Sequence, residues 1–107
     1  MAKITFEFKD NTYTLEFSRR TVSNLEKRGF VLEDAVKQPA TMLPQLFRAS
    51  FEMHHPRIKP EVVDEIYEGL ENKSELFGEL VRLYQAPLEA LFDEPEDDSK
   101  KIKWTAA

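Results

Sequence analysis

The chain has 107 residues, of which 41% are hydrophobic and 33% charged, with a net charge of −5 and no cysteine. That length holds one core of modest size and leaves no room for a second domain, and the balance is that of a folded chain. The missing cysteine excludes a disulfide framework and a thiolate metal site, and fits an intracellular, reducing location.

The N-terminus MAKITFEF alternates instead of forming an apolar block, and no window approaches about eighteen uncharged residues, so neither a signal peptide nor a membrane span is expected. Ile4, Phe6 and Phe8 alternate with Lys3, Thr5 and Glu7, and Tyr13, Leu15 and Phe17 alternate with Thr12, Thr14 and Glu16. This period of two predicts two strands, each with one apolar face. Lys9-Asp10-Asn11 supplies the turn, because Asp and Asn tolerate left-handed backbone angles. A lone hairpin is marginal in water, so its six large apolar side chains need a helical layer or another subunit to cover them.

Ser18 is the expected N-cap of a helix running to about Arg28, with Val22 and Leu25 inward and Gly29 as the left-handed stop. Arg19 and Arg20 fall in its first turn, against the sign of the helix dipole; they are either two solvated cations or the mark of an anion or acidic partner. A short helical turn from Leu32 to Lys37, with Ala35 and Val36 inward, should end before Pro39. Thr41 is expected to cap a third helix, with Pro44 tolerated in its first turn. At about 100° per residue, Met42, Leu43, Leu46, Phe47, Ala49, Ser50, Phe51 and Met53 share one half of its surface. Continued to residue 54, the same wheel puts His54 on the apolar side and His55, just before Pro56, on the polar side at the helix end.

Pro56 to Lys59 reads as a loop. Pro60 opens a fourth helix with Val63, Ile66, Tyr67 and Leu70 at core spacing and an acidic outer face of Glu61, Asp64, Glu65, Glu68 and Glu71. Ser74 is expected to cap a last helix that reaches about Asp93 with a kink at Pro87. Its apolar residues, from Leu76 to Phe92, spread over about half of the wheel. Two readings fit that width: a helix central to its own core, or one whose end beyond Pro87 offers Leu88, Leu91 and Phe92 to another chain. EPEDDSKK then leads to KIKWTAA, which holds the sole tryptophan. The predicted architecture is α+β and mainly α: an N-terminal β-hairpin and four to five helices in one domain over residues 1–93, then a flexible charged tail over 94–107.

Charge is unevenly distributed, with +3 over residues 1–59, −11 over 60–98 and +3 over 99–107. An acidic half is unsuited to a phosphate backbone and suits a basic protein partner, or solubility alone. Arg19, Arg20, Lys27, Arg28, Arg57 and Lys59 come with no helix-turn-helix or RNA-binding signature, so no nucleic-acid partner is expected. His54 and His55 point about 100° apart on a helix, lack the HExxH spacing and have no companion ligand, so no metal site is expected. No serine sits in GxSxG, Glu61, Glu65 and Glu68 share one helical face, and three glycines form no phosphate-cradling loop. No catalytic residue and no cofactor are expected. Lys103-Trp104 reads either as a short docking motif or as a plain flexible end.

The run PATMLPQLFRASFEMHHPRIKPEVVDEIYEGL, then LVRLYQAPLEALFDEPE and a short Lys/Trp end, resembles small tail-assembly-chaperone-like proteins of long-tailed phages and prophages of Gram-positive bacteria. The ordering of TMLP, HPR, DEIYE and LE-LFDE carries the likeness, which extends over nearly the whole chain. The resemblance implies a non-enzymatic protein of the host bacterial cytoplasm. Its expected partners are the tape measure protein and the tail tube protein, with homo-oligomerisation compatible and no membrane. Leu88, Leu91, Phe92 and Trp104 are the candidates for partner contact, and Phe6, Phe47, Ile66 and Leu80 for the core. Two other classes remain open: an acidic inhibitor that mimics DNA toward a host protein, and a minor structural tail protein.

Overall fold

The computed structural model describes residues 3–107, apart from the Val36 side chain. Strands β1 (Ile4–Phe8) and β2 (Asn11–Leu15) pair antiparallel, with Ile4 opposite Leu15 and Phe8 opposite Asn11. Lys9 and Asp10 make the connection at φ of 49° and 65°, the two-residue turn whose twist matches that of the strands it joins. Helices α1 (Arg19–Lys27), α2 (Asp34–Lys37), α3 (Pro39–Ala49), α4 (Pro60–Gly69) and α5 (Lys73–Ala90) follow. The fold is α+β and mainly α.

Helices α1, α3 and α5 pack on one another around Leu25, Leu46, Phe47 and Leu80, all buried. The hairpin is covered from within the chain: Phe51 meets Phe6 and Tyr13 edge-on, at ring distances of 6.4 and 6.2 Å. Phe47 bridges Phe51 at 5.1 Å and Tyr67 of α4 at 5.2 Å, so one aromatic chain ties hairpin, α3 and α4 together. Burying side chains of this size contributes roughly 1.5–3 kcal/mol each. Among the expected core residues, Phe47, Ile66 and Leu80 are buried and Phe6 packs half-buried at the margin. Ala35 is buried; the expectation for the Val36 side chain lies outside the described residues.

Both ends of α3 and both ends of α5 depart from expectation. Helix α3 opens on Pro39 and not after Thr41, since the fixed φ of proline suits a first helical residue and its missing N–H is one that lacks a partner there anyway. It stops at Ala49, because the backbone N–H of Glu16 donates to the Ser50 carbonyl at 3.0 Å and engages an acceptor that a further helical turn would use. The wheel therefore fails past Phe51, which is still buried: Met53 is exposed, and the two histidines exchange places, with His54 exposed and His55 half-buried. Helix α5 starts at Lys73 behind a left-handed Asn72 (φ 53°), leaving Ser74 inside the first turn instead of at the cap. It runs through Pro87 and ends at Ala90, and Leu91 to Asp93 close with i→i+3 bonds of 3.2 to 3.4 Å.

Candidate functional site

The α1–α5 edge is set by local chemistry. The Ser18 hydroxyl accepts from the Thr21 N–H at 3.2 Å while Thr21 Oγ1 accepts from the Ser18 N–H at 2.8 Å, a reciprocal cap that fixes where α1 begins. Val22 and Leu25 thereby face inward. Tyr84 of α5 is clamped between Phe17 at 5.7 Å and Phe30 at 5.2 Å. Burial, and then the charge of Glu26, push its hydroxyl above the ordinary tyrosine pKa.

Beyond that clamp α5 continues over α1, and the two leave a groove of about 210 Å3. Its walls include Val22 and Glu26 from α1 and Pro87, Leu88 and Leu91 from the end of α5. Leu91 is 49% exposed and Phe92 90%, while Ile102 and Trp104 on the tail are 89% and 82% exposed. Of the four residues expected at a partner contact, Leu88 and Leu91 come together in the groove. Phe92 stands just past it, and Trp104 lies apart on the tail. Leu80, Leu83 and Tyr84 of the wide α5 arc are central to the core, as the first reading expected, while Leu88 is half-buried against it and Leu91 and Phe92 are exposed. Val22 and Pro87 were not expected in a site, because the groove exists only once residues some sixty-five positions apart meet.

The tail departs through a 3₁₀ turn at Asp98–Lys100. Asp97 Oδ1 accepts from the Ser99 hydroxyl at 2.8 Å and from its N–H at 3.0 Å, which holds the Asp97 carboxyl below its usual range. Lys101 pairs with Asp98 at 2.9 Å and continues in extended backbone.

The histidine pair forms a separate corner beside the hairpin. His54 Nε2 lies 2.8 Å from Oε1 of the buried Glu16, and His55 Nε2 accepts the Thr14 backbone N–H at 3.0 Å. That second bond requires His55 to be unprotonated at Nε2. Burial against Tyr13, at a ring distance of 5.1 Å, and then the charge of His54 lower its pKa. Both Nε2 atoms are engaged, and among the described residues no group of three or more His, Asp or Glu is placed to hold a metal ion. The corner is a latch between β2 and the end of α3. Among the described residues no helix is long and apolar enough to cross a membrane.

Comparison with protein families gives one match, over residues 1–107, to the family described as domain of unknown function (DUF5055). The chain belongs to that family. No curated protein and no solved structure matches it. The surface of this DUF5055 chain carries an apolar groove with an aromatic residue at its end, and a tail with exposed Ile102 and Trp104.

Proposed function

We propose that this chain is a non-enzymatic phage tail assembly chaperone, which binds the tape measure protein and assists tail tube assembly in the host bacterial cytoplasm. The observation that carries the reading is the exposure of large apolar side chains, Leu91 and Phe92 at the α5 end of the α1–α5 groove and Ile102 and Trp104 on the tail. Isolated exposed apolar residues are ordinary, but four large ones between residues 91 and 104 mark a segment suited to interaction. The acidic outer face of α4 favours a partner helix with basic flanks, recognised by an apolar stripe and by charge. Weak contacts repeated by many copies along a long helical partner would add through avidity. The resemblance of TMLP, HPR, DEIYE and LE-LFDE to tail-assembly-chaperone-like proteins supplies the identity of that partner.

The DNA-mimic alternative draws on the −11 segment, yet Asp64 is paired with Arg48 at 3.2 Å and Glu65 with Lys9 at 2.7 Å. Two of the five outward carboxylates of the α4 region are thus partly neutralised within the chain. Co-expression of the tagged full-length chain with the tape measure protein and with the tail tube protein tests the chaperone reading. Retention of the tape measure protein that weakens about tenfold or more in Leu91→Asp is the expected result. A full-length chain that never retains it would overturn the proposal.

A further inference from the structure

We infer that the tail of one copy of this chain docks in the α1–α5 groove of a second copy, with Trp104 as the anchor. The groove, at about 210 Å3, is smaller than the roughly 300–1,000 Å3 typical of small-molecule sites. Its apolar walls of Val22, Pro87, Leu88 and Leu91 suit one large side chain.

The tail has the matching pattern. Lys101 is extended (φ −72°, ψ 130°), and continued extension through Lys101-Ile102-Lys103-Trp104 places Ile102 and Trp104 on one side and the lysines on the other. An extended segment with one apolar side and one cationic side fits an apolar groove with carboxylates next to it along the chain.

Carboxylates outnumber cations in the groove and next to it along the chain. Glu26 lies in the groove wall, and Glu89, Asp93 and Glu94 lie within three residues of Leu88 or Leu91 along the chain. None of the four takes part in the salt bridges found among the described residues, and neither do Lys100 and Lys103 of the tail. Arg19 is the one cation among the groove-lining residues and Lys27 follows Glu26 directly, two cations against these four carboxylates. Free charges of opposite sign on the two surfaces attract across about 8–10 Å at physiological salt.

The occupant is the tail of a second copy because the chain's own tail is directed elsewhere. Twelve residues separate Leu91 from Trp104, ample to return, yet the turn held by Asp97 and the Lys101–Asp98 pair carries the tail outward and leaves Trp104 exposed. The molecule measures 54 × 34 × 25 Å, and its radius of gyration of 16.3 Å exceeds the roughly 13 Å of a compact domain of this length. A groove in one place and a tail in another form a head-to-tail contact that repeats into open chains or closes into rings. This pairing does not depend on the tape measure reading, since the purified chain alone tests it.

Sedimentation velocity of the full chain from about 1 to 200 μM at low salt should show association that grows with concentration and weakens as salt is raised. Ile102→Ser/Trp104→Ala and, separately, Leu91→Asp should each move association to at least about tenfold higher concentration. Mixing the two variants should restore a one-to-one pair, because one supplies an intact groove and the other an intact tail. A full chain that stays monomeric overturns the inference. So does a monomer whose Trp104 fluorescence is blue-shifted and shielded from quencher, since its own tail then fills the groove. Association that survives unchanged in the tail variant, which alters only exposed residues, overturns it equally.

Discussion

His55 shows how one ring nitrogen couples a turn to a strand. Its Nε2 is the acceptor for the Thr14 N–H, a backbone donor that the hairpin does not use. Protonation converts that acceptor into a donor, so the bond is lost. The folded pKa lies below the ordinary value of 6.5, through burial first and the His54 charge second. The unfolded chain therefore binds the proton first as pH falls, and stability drops from about pH 6.5 down to the lowered folded pKa, with no contribution from this group above that window. The other titratable or charged groups around His55 are His54, Glu16 and Arg57 on the hairpin side and Arg48 and Glu52 on the α3 side. His55→Phe should cost about 1–3 kcal/mol at pH 7.5, because it leaves Thr14 N–H without its acceptor, and should flatten the stability loss between pH 7 and 5. Urea denaturation at several pH values measures both, and a variant with the slope of the parent would assign the pH dependence elsewhere. The sequence placed the pair at a helix end beside Pro56. It could not name Thr14 or Glu16 as partners, because those contacts span 41 and 38 residues.

At the level of elements, periodicity was legible and ends were legible only where their cause is local. The alternation of Ile4 to Leu15 gave the hairpin, Pro60 the start of α4, and Ser18 and Gly29 the two ends of α1. The end of α3 was not legible, since its cause is the Glu16–Ser50 backbone bond, which exists only after β2 has docked. Gly29 sits at φ 92° and a Cβ there would meet nothing within 4 Å, so Gly29→Ala should cost about 1–2 kcal/mol through backbone strain alone. Ser18→Ala, which removes the hydroxyl that holds Thr21, should cost about 1 kcal/mol. Chemical denaturation of each variant reads these values directly. A Gly29→Ala chain as stable as the parent would mean that the left-handed stop is dispensable. Leu91→Asp, half-exposed and past the last α5 residue, should leave helical circular dichroism nearly intact; wholesale unfolding would instead place Leu91 in the core.

Over the whole molecule, the lopsided charge serves two ends. Part of it is matched internally, where Arg48 and Lys9 of the basic half reach Asp64 and Glu65, exposed pairs worth about 0–1 kcal/mol each. Another part, Glu89, Asp93 and Glu94, lies along the chain next to Leu88 and Leu91 of the apolar groove, a site that composition could hint at but only the meeting of α1 with α5 could locate. The tail buries neither Ile102 nor Trp104, so it contributes little to the fold of an isolated copy. Deleting residues 99–107 should therefore change the melting temperature by no more than about 2 °C at low micromolar concentration. The intact chain differs at higher concentration: binding that exists only in the folded state raises its melting temperature by mass action. Its melting temperature should climb as concentration increases about a hundredfold, while that of the shortened chain stays level. A large loss at the lowest concentration would show that Trp104 packs on its own domain, and parallel behaviour of the two chains would remove the tail from self-association.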